Sequence, residues 1–184
     1  MNFDIHWPPA YPGSDNPCST YYAGKKAFSS VEADHLAKFI KKIDSFFYIG
    51  LHSYTQVVLY PYAFSCKNPP PDAENLVELA WGLAKAIRVS GKAYYAVNQA
   101  CESDDYRRAP RHGDSPEDDF IVSGGSIIDW VYVKAKVKWA YSIKQRDLGN
   151  HGFLLPRESI VPSGKEMWAM LQYAGEFLDD LENQ

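Results

Sequence analysis

Helical periodicity that alternates with short β-branched and aromatic runs is the feature that most limits what this chain can fold into. Ser29-Ser-Val-Glu32 has capping-box spacing and opens a predicted helix to about Lys42, with Val31, Leu36, Phe39, Ile40 and Ile43 on its apolar face. Phe46 to Leu51 and Gln56 to Tyr60 read as short strands, and between them lies His52-Ser-Tyr-Thr55, just beyond a strand end. Such positions are where α/β sheets place their chemistry. Pro69-Pro-Pro71 breaks the chain, and Asp72 is placed to cap a second helix to about Val89. That helix should bury Leu76, Leu79, Ala80, Leu83, Ala86 and Ile87 and end at Gly91. Ser123-Gly-Gly-Ser126 turns into a short helix, and Trp139 to Ile143 reads as another strand. Ser163-Gly-Lys-Glu166 has the spacing to cap a closing helix through about Leu181. Strands alternating with helices predict an α/β sandwich with a largely parallel or mixed sheet.

With 184 residues, 46% of them hydrophobic, the chain is long enough for a single domain with its own core. A net charge of −4 and the lack of a basic stripe argue against nucleic acid as a partner. No apolar run is long enough to span a bilayer, and Met1-Asn-Phe-Asp-Ile-His6 has neither the basic start nor the apolar stretch of a signal peptide. Glu102 to Asp119 is an inserted charged stretch with almost nothing to bury, which predicts an exposed, mobile loop. Cys18, Cys66 and Cys101 show no C-x-x-C spacing and are too few for a structural zinc site. Two alternatives follow: three buried free thiols, or one disulfide with an orphan in an oxidising compartment.

Several segments, in order, carry a family likeness. Asn2-Phe-Asp4, Pro17-Cys-Ser-Thr-Tyr-Tyr-Ala-Gly24 and His52-Ser-Tyr-Thr-Gln56 with Leu59-Tyr-Pro-Tyr62 come first. Ser123-Gly-Gly-Ser126 with Asp129-Trp130, and Arg146-Asp147 with Gly152-Phe-Leu-Leu-Pro156, complete the series. Together they resemble the zinc metallocarboxypeptidases of the pancreatic carboxypeptidase A and B type, across nearly the whole chain outside the charged stretch. The resemblance implies the C-terminal half of that fold, a mixed, mostly parallel sheet with helices packed on both faces, with the N-terminal half missing. It pairs Cys66 with Cys101, leaves Cys18 matched to an upstream partner, and implies a secreted, extracellular lineage acting on peptide C-termini.

Residue by residue, the resemblance implies a damaged site. His52 matches the third zinc ligand, but the His-x-x-Glu pair that supplies the other two is absent, because none of the five histidines is followed by Glu three residues later. One imidazole does not hold a catalytic zinc, which needs three protein ligands and an open water position, so stable binding by this chain alone is not expected. Lys144 stands where the general-base glutamate belongs, and an ammonium has no lone pair to accept a proton from water. It reads as a solvated or ion-paired lysine in a vacated cleft. Phe120 falls at the mobile-tyrosine position, with Tyr106 a poor substitute, and Met1 takes the place of a carboxylate-binding arginine. Arg146 remains, in a structural or secondary role. Substrate contacts fall to Ser53, Tyr54 and Phe153, and Ile127 or Ile128 marks an apolar specificity position.

The expected product is therefore a truncated, degenerate metallocarboxypeptidase-like protein, inactive on its own. The other readings are a piece that regains function by joining a separate N-terminal half, and a non-catalytic peptide- or protein-binding module. The last would use the old cleft or an exposed sheet edge.

Overall fold

The computed structural model describes residues 2–9, 13–103 and 124–183. The chain divides into two compact units, one comprising Met1–Tyr48, Pro61–Pro70 and Gln99–Ala140, the other Ile49–Tyr60, Pro71–Asn98 and Tyr141–Gln184.

In the first unit, helix α1 (Val31–Ile43) is capped by Ser30, whose hydroxyl oxygen accepts from the Ala33 amide at 3.3 Å. This corrects the capping box expected at Ser29. Ser29 is occupied elsewhere, its hydroxyl accepting from the Asn2 side-chain amide at 3.2 Å, while Ser30 has the extended backbone a cap requires. The buried side of α1 is also not the predicted one. Ala33, Ala37 and Ile40 face inward, whereas Val31, Leu36, Phe39 and Ile43 are exposed. Two alanines one helical turn apart let the helix backbone approach its neighbours closely, which turns the bulkier residues outward. Also in the first unit, helix α3 (Ile127–Val133) carries Trp130, packed against Phe3 and Phe28. Cys66 and Cys101 form the disulfide implied by the resemblance, and Cys18 is free and exposed.

The four strands are β1 (Phe47–Ser53), β2 (Val57–Tyr60), β3 (Ala96–Gln99) and β4 (Trp139–Gln145). They form one mixed sheet in the order β1-β4-β2-β3, which bears out the α/β class. β2 and β4 run antiparallel, with Val57 opposite Lys144 and Leu59 opposite Ser142. Strand β1 continues through His52 and Ser53, so these two residues end the strand rather than follow it.

In the second unit, helix α2 (Ala73–Gly91) buries Leu76, Leu79, Leu83 and Ile87 as predicted, packing on β2 and on α4 (Ile160–Glu182). Gly82 is required there: a Cβ at that position would collide with the Tyr173 ring. Helix α4 starts earlier than expected, after a 3-10 turn at Arg157–Ser159, so Ser163 lies inside it and caps nothing. Glu166, expected to complete that cap, is fully buried instead. A buried carboxylate needs a partner, and Arg146 supplies it.

Candidate functional site

Topology brings the sequence-predicted site residues of the second unit to one end of the sheet. β1 and β2 are joined through residues 54–56, yet they are not neighbours in the sheet, because β4 lies between them. Since β4 runs antiparallel to β2, its C-terminal end sits beside the start of β2 and therefore at the end of β1. His52, Lys144 and the turn between β1 and β2 thus share that end. Two backbone bonds fix the turn to the chain after β4: Thr55 N–H donates to the Asp147 carbonyl at 2.8 Å, and Gln56 N–H to the Gln145 carbonyl at 3.2 Å. Thr55 and Gln56 have φ of 115° and 54°, a left-handed bend imposed by the tight link.

His52 and Ser53 are exposed, whereas Lys144 is buried at 7% exposure. The lysine is therefore not the solvated group that one branch of the sequence reading anticipated. It points from a β4 position opposite Val57, itself a core residue.

The segment after β4 is held from both sides. Arg146 donates from Nε to Glu166 Oε2 at 3.2 Å, and its second nitrogen donates to Oε1. The Tyr95 hydroxyl donates to the same carboxylate at 3.3 Å. The bond to Glu166 raises the guanidinium's hold on its proton, and burial together with the neighbouring carboxylate raises the Tyr95 hydroxyl well above the ordinary range. On the other side, Asp147 accepts from the amides of Gly149 at 2.8 Å and His151 at 3.1 Å and pairs with His151 Nδ1 at 2.8 Å. The His151 bond is the main cause that holds the Asp147 carboxyl below its usual range. The resulting loop places Phe153 edge-on to Tyr54, with ring centroids 5.1 Å apart, and Phe153 is 79% exposed.

The first unit holds Ile127, half-buried, and Ile128, buried in the core. Between Ile128 and Trp130, Asp129 accepts from the amides of Ala63 at 2.9 Å and Phe64 at 3.1 Å. Burial pushes its carboxyl up to about 7 against those two donors. Phe120, Tyr106 and most of the inserted stretch lie outside the described residues.

Sequence reasoning missed Glu166 and the loop-organising part of Asp147. For Glu166 a signal existed: it heads the row Glu166, Met170, Ala174, Leu178, spaced four apart along α4 and all buried.

Zinc is the cofactor of the matching family. Among the described residues, however, no group of three or more His, Cys, Asp or Glu side chains could hold a metal ion. His52 alone does not make the donor set of a catalytic zinc. No helix among the described residues is long and apolar enough to cross a membrane.

The zinc carboxypeptidase family model, peptidase M14, matches residues 1–170. An inactive metallocarboxypeptidase ECM14 of Paracoccidioides lutzii is 44% identical over 171 residues, covering 90% of this chain and 29% of the relative. The inactive metallocarboxypeptidase ecm14 of Sclerotinia sclerotiorum is 44% identical over 169 residues, with 89% and 28% covered. This chain thus spans less than a third of the length of these relatives. Bovine thrombin-activatable fibrinolysis inhibitor, solved in complex with tick carboxypeptidase inhibitor, superposes with a TM-score of 0.80 at 26% identity, over 97% of this chain and 56% of that one. The carboxypeptidase A of Helicoverpa armigera shares the fold, with a TM-score of 0.75 at 22% identity over 95% and 40% of the two chains. With a family match that runs through the whole sheet and into α4, this chain belongs to the zinc carboxypeptidases.

Proposed function

We propose that this chain is a metallocarboxypeptidase-like protein without peptidase activity of its own. The observation that carries the reading is Lys144: a buried lysine on β4, at the sheet end shared with His52, in the place the family resemblance gives to the general base. A carboxylate there would take a proton from water and pass it to the leaving amine; a protonated amine does neither. It also repels a metal at the same sheet end. The family's zinc is accordingly not held stably by His52 without further donors. The relatives carry the word inactive in their names, which agrees with this reading.

What remains is a surface for peptide C-termini. Ser53, Tyr54 and Phe153 keep the contact roles implied by the resemblance. Extracellular location follows from the same lineage and fits the Cys66–Cys101 disulfide, which persists in oxidising compartments.

The decisive test replaces Lys144 with Glu in a preparation that also contains the upstream half expected from the resemblance. Release of a C-terminal Phe or Leu from a blocked dipeptide by that variant, and not by the unsubstituted protein, is the expected result. Equal turnover by both proteins would sink the reading.

A second reading has its own observation. Val31, Leu36, Phe39 and Ile43 expose a row of large apolar side chains on α1, more than a lone soluble helix usually presents. This favours a binding or assembly role, tested by the oligomeric state and by whether Phe39→Ser, at an exposed position, changes it.

A further inference from the structure

Helix α2 presents Trp81, Lys85 and Arg88 at intervals of four and three residues, hence on one face. The link between α2 and β3 brings Tyr94 and Tyr95 to the same place, and these side chains with Ala84 line a small cavity of about 110 Å³. Trp81 is 50% and Tyr94 60% exposed, while Ala84 and Tyr95 are buried and form the floor. Tyr94 is held in place through its carbonyl, which accepts from the Gln56 side-chain amide at 2.9 Å.

The chemistry of this lining is one-sided. It offers two exposed aromatic rings, one guanidinium and one ammonium, and no carboxylate. Among the described residues no acidic partner is recorded for Lys85 or Arg88. Two cations beside each other in water are tolerable, but they gain when an anion is shared between them, and a guanidinium matches a carboxylate or phosphate in a two-point fork. Aromatic side chains that remain half exposed beside a buried floor provide flat faces for a ring, and a volume of about 110 Å³ limits the ligand to a single small ring. Both demands are met by one ligand type.

We propose that this cavity is a binding site for a small planar ring bearing an anionic substituent, a carboxylate or phosphate. The ring lies against Trp81 and Tyr94, and the anion is taken by Arg88 and Lys85. The proposal does not depend on whether the chain has activity.

Phenyl phosphate is a suitable probe, followed through the Trp81 indole N–H by heteronuclear NMR on the whole chain, with the resonance assigned from Trp81→Phe. A saturable shift is expected for phenyl phosphate, with phenol and inorganic phosphate each at least tenfold weaker. Benzoate in place of phenyl phosphate distinguishes a carboxylate from a phosphate preference. Arg88→Gln together with Lys85→Gln should weaken binding at least tenfold while leaving the rest of the spectrum in place, since both side chains are at the surface. The proposal is overturned by a non-saturable response, by equal binding of inorganic phosphate alone, or by unchanged affinity in the double variant.

Discussion

Arg146 directs its guanidinium to Glu166, whose carboxylate is fully buried, whereas the next residue, Asp147, pairs with His151 on a side chain that is 51% exposed. The two pairs flank the same sheet end and do different work. In the inner pair the Glu166 carboxylate has no water to fall back on and the Arg146 side chain is only 22% exposed, so the pair fixes the exit of β4 against α4. The outer pair is screened by solvent and serves mainly to close the 147–151 turn through backbone amides. Position in the fold, rather than the presence of opposite charges, decides which pair the structure depends on.

Removing one member of the inner pair should break the comparison most severely. Glu166→Ala leaves the guanidinium and the Tyr95 hydroxyl without their shared acceptor and is expected to cost about 3 kcal/mol, read as a lowered urea midpoint. A loss as small as that of a surface substitution would show that water reaches the pair.

A third carboxylate sharpens the contrast, because Asp129 is buried with amide donors and, among the described residues, no ion-pair partner. Burial raises its carboxyl to about 7 from an ordinary 3.8, so the folded chain holds its proton across a range where the unfolded chain has released it. Its contribution to stability is therefore complete below the unfolded value and is lost as the pH rises through the folded one. Asp129→Asn should flatten that decline, and because the new amide turns a donor toward the Ala63 and Phe64 N–H groups, it should cost about 2 kcal/mol near neutral pH. Unfolding free energies measured across the window check both statements.

Gly149→Ala probes the outer turn itself. Gly149 has a φ of +100°, and a Cβ there would lie 3.3 Å from the Tyr54 ring. About 1 kcal/mol of stability should be lost, with a change in the Tyr54–Phe153 contact visible in ring-proton shifts.

The smallest effect belongs to His151→Ala. Asp147 keeps its two backbone donors, so the unfolding midpoint should move little and the change should shrink further in high salt. The carboxyl of Asp147 should rise toward its ordinary range once the imidazole is gone, because that bond is the main cause of its depression. In the unsubstituted chain the corresponding stability is present above the ordinary carboxylate range and is lost as the pH falls through the depressed value.

How much of this was legible in the sequence depends on how long each pattern runs. Helix α2 is long and strictly periodic, and nearly all of its predicted inner face is buried, with Ala86 half-buried and Gly82 and Ala84 added. The α/β class and the sheet-end location of His52-Ser-Tyr-Thr55 were readable from strand–helix alternation. Strand β3 was not, because Ala96-Val-Asn-Gln99 has no alternation of apolar and polar residues. The face of α1 was misread because hydrophobicity scales weight Phe39 and Leu36 above Ala33 and Ala37, while packing here rewards small size. Glu166 was misread because Ser163-Gly-Lys-Glu166 matches a capping box by spacing alone. The pairing of Cys66 with Cys101 came from resemblance, since three cysteines leave the partner undecided by counting. Lys144 was found by the same route, and its burial needed the structure.

The central claim is that a cation at Lys144 and a lone imidazole at His52 leave this chain without peptidase chemistry. It is tested most directly by incubating the purified chain with added zinc and a blocked dipeptide ending in Phe, while measuring bound metal and released amino acid together. The account predicts substoichiometric zinc and no release above the buffer blank. One zinc per chain with steady release of Phe would contradict it.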